Sequence, residues 1–177
     1  MNHLPHQYWI TPEPDNSFTQ QLAQRLQQGV ELIQLRAKNL ELAEYLKLAG
    51  KVLNECQAFS AKLILNAPAE ILQHIPAHGL HLSSYCLMQY KQRPINENYL
   101  FSAACHNLAE LKQAELINAD LALLSPVVKT LSHPQAVPLG WQQFEELASQ
   151  VTIPVYALGG MRAEDLPVAQ QHGAYGV

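Results

Sequence analysis

Short apolar runs alternate with amphipathic stretches along most of the chain. Tyr8–Thr11 (YWIT) predicts a strand that Pro12, Pro14 and Asp15 end. Phe18, Leu22 and Leu26 then recur every fourth residue, the spacing of a helix face, with Gly29 as its C′ residue. Leu32–Ala37 predicts a second strand, and Leu42, Leu46, Ala49, Leu53 and Cys56 a second helix face. Lys62–Leu65 is read as strand three, a short helix ends at Pro76, and Gly79–Leu82 is strand four. Ser83–Asn98 has weak periodicity and is read as a short helix or loop. Leu100–Cys105 is strand five, and Asn107 and Glu110 have capping-box spacing ahead of Leu108, Leu111, Ala114 and Ile117. Strand six lies in Leu121–Val128, followed by a polar loop over 129–138. Trp141, Phe144 and Leu147 mark another helix and its core side, Pro154–Leu158 strand seven, 165–172 a short helix, and Tyr175–Val177 the start of strand eight.

Repeated β-then-α units imply parallel strands joined by right-handed crossovers. Eight strand candidates in that order predict a single domain over 1–177. It is an α/β fold, a (β/α)8 TIM barrel whose last β/α unit is incomplete at Val177. No glycine-rich nucleotide fingerprint follows the first strand.

Composition narrows the class. Of 177 residues, 48% are hydrophobic and 15% charged, which excludes intrinsic disorder. A net charge of −4 leaves no electrostatic footprint for nucleic acid. No apolar run is long enough to cross a bilayer, and the N-terminus lacks the pattern of a signal peptide. Cys56, Cys86 and Cys105 are far apart and odd in number, which fits free thiols in a reducing compartment, Cys86 and Cys105 being read as small buried hydrophobes. These features predict a soluble cytoplasmic protein with neither nucleic acid nor membrane as partner.

In a barrel, chemistry sits at the carboxyl ends of the strands. Alternation points Gln34, Arg36 and Lys38 to one side of strand two. Two cations and an amide there suit a phosphate or pyrophosphate; they equally suit a strand end that merely meets solvent. Strand three ends at Asn66, strand four near His81 and strand five at His106; Lys129 and Thr130 follow strand six. Strand seven ends in Gly159-Gly160, whose bare amides can approach an anion. His106 is a candidate general acid or base, or a hydrogen-bonded structural histidine. His74, His78 and His81 cluster in sequence, but Pro76 interrupts any shared helix face, so no metal site is assigned to them. No pair of carboxylates lands at strand ends, which argues against a two-carboxylate hydrolase.

Seen in order, these segments resemble the thiamine phosphate synthase and TenI superfamily of (β/α)8 barrels. YWITP is similar to the opening strand of that family. GVELIQLRAK is similar to its Gln-x-Arg-x-Lys strand, LILN to its third strand and GLHLS to its Gly-Val-His-Leu-Gly strand. FSAACHN resembles the Gly-x-Ser-x-His segment, ADLALLSPVVKTLSH the Gly-Pro-x-x-x-Thr segment, and PVYALGGM the Gly-Gly strand. The resemblance implies that Gln34, Arg36, Lys38 and Asn66 bind a diphosphate. It also implies that Thr130 lies near thiazole and pyrophosphate, and that Gly159 and Gly160 bind a thiazole phosphate. His106 and Lys38 are the catalytic candidates. Family synthases join a pyrimidine diphosphate to a thiazole phosphate with magnesium; TenI proteins aromatise a thiazole tautomer without it.

The departures from the family pattern are specific. The Asp after the strand-three Asn is Ala67, and the second acidic position is Cys86, so both magnesium carboxylates are missing and no metal site is expected. The Ser of Ser-x-His is Ala104, the Lys after Thr130 is His133, and the strand-six Gly is Ser125. The histidine expected of TenI proteins after that Gly is Pro126. His106 or His133 remains as a proton-transfer group. YWITPEP also resembles the TenI-like barrel fused behind a Nudix hydrolase in some bacterial proteins, which implies a carboxyl-terminal module and a fused or partner Nudix hydrolase. Three readings follow: a thiamine-synthesis enzyme with impaired synthase activity or tautomerase activity, a non-catalytic module binding a thiamine-precursor phosphate, and a structural barrel. An apolar face left by a missing eighth helix would favour a homo-oligomer.

Overall fold

The structure, a computed structural model, describes residues 4–130 and 135–177. It is an α/β fold with seven strands among those residues. The chain divides into two compact units. One comprises Gln7–His81 with Glu97–Leu100; the other comprises Met1–His6, Leu82–Asn96 and Phe101–Val177.

In the first unit β1 (Trp9–Ile10), β2 (Leu32–Leu35), β3 (Lys62–Leu65) and the start of β4 (Gly79–Leu82) pair parallel in chain order. β2 is buried at every position. A strand covered on both faces reads as a continuous apolar run, which is why LIQL and KLIL lack alternation. Helix α1 (Phe18–Gln27) buries Phe18, Leu22 and Leu26, and α2 (Leu42–Ala58) buries Tyr45, Ala49, Val52, Leu53 and Cys56.

The turn out of α1 explains the repeat. Gly29 takes φ +84°, its N–H donates to the Leu26 carbonyl (3.0 Å), and the Val30 N–H donates to the Arg25 carbonyl (3.2 Å). This is the Schellman arrangement. It recurs after α2, with Ser60 at φ 59° and the Ala61 N–H donating to the Cys56 carbonyl (2.9 Å). Each such turn satisfies the last helical carbonyls and sends the chain into the next strand.

The second unit repeats the scheme. β5 (Leu100–Cys105), β6 (Leu121–Leu124) and β7 (Val155–Ala157) pair parallel in order. Helices α3 (Ser84–Leu87), α4 (Leu108–Leu116), α5 (Gly140–Ala148) and α6 (Leu166–Gln171) complete it. Asn107 Oδ1 accepts from the Glu110 N–H (3.0 Å), as the capping-box spacing predicts. The reciprocal carboxylate bond goes one residue further back, to the His106 N–H (2.7 Å). Phe101, Leu111, Phe144 and Tyr156 are fully buried here. Trp141 is half-buried, stacked on His172 at 5.3 Å and edge-on to Phe144.

The eighth strand expected at 175–177 is a single parallel bridge between Gly176 and Tyr156. The Val177 N–H donates to the His6 carbonyl (2.9 Å), and a Cβ on Gly176 would come within 2.2 Å of that oxygen. Beside β7, the Tyr175 N–H donates to the Val155 carbonyl (2.7 Å) and the Ala157 N–H to the Gly176 carbonyl (2.9 Å), so the segment runs between β7 and residues 4–6. Among the described residues seven strands and this one bridge stand where eight strands were expected.

Candidate functional site

In the first unit the candidate residues collect beyond β2. Thr11 fixes this end: its N–H donates to the Gln34 carbonyl (2.9 Å), and its Oγ1 accepts from the Arg36 N–H (3.1 Å). Gln34 itself is only 1% exposed, and its Nε2 donates to the Tyr8 hydroxyl (3.1 Å). Gln34 is thus spoken for inside the unit, whereas Arg36 is partly exposed and Lys38 exposed. Arg36 Nη1 lies 3.6 Å from Glu13 Oε1, which also accepts from the Lys38 N–H (3.3 Å). The Lys38 ammonium and the Asn66 carboxamide bond to no described residue. Two cations beyond β2 and an amide donor beyond the neighbouring β3 suit an oxyanion.

His81 is buried in the same unit. Burial, then the charges of Lys38 and Arg36, push its pKa down to about 3, so its imidazole is neutral throughout the physiological range. His78 is structural: its Nδ1 accepts from the Leu63 N–H (3.0 Å), and burial, then Lys62, holds its pKa below the usual value. The three clustered histidines do not share a site.

In the second unit the glycines after β7 meet the loop after β6. Gly159 has φ +92°, and a Cβ there would lie 2.7 Å from Pro126 Cα. Gly160 has φ +72°, with the Lys129 carbonyl oxygen 2.6 Å from the corresponding position. The Val127 N–H donates to the Leu158 carbonyl (2.8 Å). Only glycine fits both the dihedrals and this approach. The N–H groups of Gly159 and Gly160 donate to no described residue, and Gly160 is exposed. Adjacent unpaired amides of this kind form an anion-binding surface. Thr130 is the last described residue of the preceding loop; His133 lies outside the described residues.

His106 stands exposed at the entrance to α4. Its Nδ1 is 2.7 Å from the Ser125 carbonyl oxygen and 3.4 Å from Ser125 Oγ. A carbonyl only accepts, so Nδ1 carries the proton, and in the neutral ring Nε2 is left as a proton acceptor. Cys105 beside it is buried; burial, then Glu110, pushes its thiol pKa up. Cys86, expected to be buried, is exposed on α3, because Leu87 rather than Cys86 is the buried residue of that one-turn helix.

Magnesium takes hard oxygen donors, usually carboxylates and waters. At the two positions where the resemblance places acidic ligands, Ala67 offers a methyl group and Cys86 an exposed thiol. No group of three or more His, Cys, Asp or Glu among the described residues is placed to hold a metal. This donor set does not fit magnesium.

Two site residues were not singled out from the sequence. Glu13 and Thr11 lie at the carboxyl end of β1, and the strand-end rule applied to YWITPEP would have flagged them.

Comparisons with known proteins agree with this picture. A sequence profile described as thiamine monophosphate synthase (TMP-TENI) matches residues 7–177. A putative thiamine-phosphate synthase 2 from Aquifex aeolicus is 36% identical over 176 residues, covering 98% of this chain and 95% of that protein. A thiamine-phosphate synthase from Fusobacterium nucleatum is 28% identical over 174 residues, covering 96% and 84%. Among solved structures, a thiamine phosphate pyrophosphorylase from Pyrococcus furiosus superposes with a TM-score of 0.77 at 21% identity, covering 96% of this chain and 82% of that one. That last likeness establishes the fold. No described helix is long and apolar enough to cross a membrane.

Proposed function

Because this chain belongs to the thiamine monophosphate synthase family, we propose that it binds a phosphorylated thiamine precursor and that its synthase turnover is impaired or lost. Its strands follow the (β/α)8 plan in this reading, and the ligand sits at their carboxyl ends. The observation that carries the proposal is the pairing of kept cations with missing carboxylates: Arg36 and Lys38 remain at the end of β2, while Ala67 and Cys86 stand at the two acidic positions.

Arg36 takes a diphosphate oxygen pair through parallel N–H donors, and Lys38 adds a point charge. The Asn66 amide donates a further hydrogen bond. Gly159 and Gly160 present backbone amides to a phosphate, with Thr130 near the thiazole. Lys38 also offers its exposed ammonium to a departing pyrophosphate. Losing metal-assisted charge stabilisation costs several kcal/mol of barrier, more than one exposed ammonium restores.

A tautomerase is the second reading, favoured by His106. With Nδ1–H donated to the Ser125 carbonyl, Nε2 can take a proton from one carbon of a thiazole tautomer and return it to another. No net charge is created and no metal is needed.

Thermal unfolding with a pyrimidine diphosphate or a thiazole phosphate tests the binding claim. Without magnesium, either ligand at about 100 times its Kd should stabilise the protein by about 2.7 kcal/mol, and Arg36→Ala should abolish the diphosphate effect. Indifference of the wild type to both ligands would refute the reading and leave a structural barrel.

A further inference from the structure

We propose that Glu13 is a resident counter-anion of the candidate phosphate site, a carboxylate of the chain's own that occupies Arg36 and that a phosphorylated ligand must displace. The inference rests on the phosphate reading of Arg36 and deepens it.

Thr11 ties β1 to β2 on both sides of Leu35, so Glu13, two residues further on, is carried to the end of β2. There one oxygen, Oε1, serves both basic residues of the Gln34-x-Arg36-x-Lys38 run. It lies 3.6 Å from Arg36 Nη1 and accepts from the Lys38 N–H at 3.3 Å. The other oxygen, Oε2, is buried and accepts no hydrogen bond from any described residue. The strongest Arg–carboxylate pairs use both oxygens in two short parallel bonds. This one uses a single oxygen at long range, between side chains 27% and 36% exposed, so it is weakly seated.

A phosphate offers what Glu13 does not. It can engage the guanidinium bidentately and also reach the Lys38 ammonium, which Glu13 leaves unused. Yet an anion arriving at Arg36 meets a negative charge already there. Glu13 therefore lowers affinity for any anion that uses Arg36, and only ligands with enough further contacts overcome it.

Calorimetric titration with inorganic pyrophosphate tests this. Glu13→Gln keeps an acceptor for the Lys38 N–H and removes the charge. It should bind pyrophosphate about two- to fivefold tighter than wild type, the scale of a half-exposed ion pair, and the gain should shrink as salt is raised. Glu13→Asp, which draws the charge back by one methylene, should fall between the two and serves if the Gln variant is unstable. In an Arg36→Ala background, Glu13→Gln should give no gain. Weaker or unchanged binding by the Glu13 variants would overturn the inference and make Glu13 a positioning residue for Arg36 or a bystander. Failure of wild type to bind, or wild-type affinity in Arg36→Ala, would instead refute the phosphate reading itself.

Discussion

His81 should make this protein sensitive to mild acid. It is 5% exposed, and burial together with Lys38 and Arg36 holds its pKa at about 3 against 6.5 for the free side chain. The folded state therefore keeps the ring neutral while the unfolded chain protonates it as pH falls below 6.5. The contribution is intact above that value and is lost progressively between it and about 3. Each pH unit inside the window costs about 1.4 kcal/mol for one proton. From about pH 7.5 to about pH 5 the loss comes to about 2 kcal/mol, a large share of the stability of an ordinary domain. The assay is urea unfolding of wild type and His81→Asn across that range. Asn cannot protonate, so groups common to both proteins cancel in the difference. The stability gap should shift by about 2 kcal/mol against the wild type on acidification. Parallel pH curves would refute the reasoning and place a charged His81 in the folded protein.

Other predictions concern the frame and the thiols. Asn107→Ala removes the side-chain cap of α4 and should cost about 1 kcal/mol, read as a lower urea midpoint with an unchanged slope. Gly159→Ala forces a Cβ to 2.7 Å from Pro126 at φ +92° and should cost about 1–3 kcal/mol in thermal unfolding. Phe144→Ala empties a fully buried site in the second unit and should cost about 3–5 kcal/mol. A thiol reagent at neutral pH should modify Cys86 rapidly; Cys56 and Cys105 are buried, the Cys56 thiol pushed up to about 12 chiefly by burial, and should react only on unfolding.

Much of this structure was readable from residue spacing. Phe18, Leu22 and Leu26, and Ala49, Leu53 and Cys56 of the second face, lie in the core because a period of about 3.6 reports which side of a helix is covered. At the start of that second face the expectation fails, since Leu42 is exposed and Leu46 only half-buried, while Tyr45 and Val52 are buried in their place. The strand ends were less legible. Alternation put Gln34 beside Arg36 and Lys38, but it says nothing of partners, and the Tyr8 hydroxyl, 26 residues away, holds Gln34 inside. Glu13 escaped notice because its role depends on how β1 registers against β2, a long-range pairing that no local pattern reports. Tyr175–Val177, read as the start of an eighth strand, pairs with β7 through a single parallel bridge at Gly176, and its bond to the His6 carbonyl is a long-range contact that no local pattern reports. Gly159 and Gly160 were flagged for anion binding; the structure adds a steric reason for them, the contact with Pro126 and Lys129.

Retained phosphate binding without synthase chemistry is the central claim for this protein. The direct measurement supplies a pyrimidine diphosphate and a thiazole phosphate, with and without magnesium, and follows formation of thiamine phosphate beside an active synthase. The account predicts little or no product in either condition, although the diphosphate stabilises the protein. Magnesium-dependent product at the rate of the active synthase would contradict it, and would mean that groups other than carboxylates at positions 67 and 86 carry the leaving-group charge.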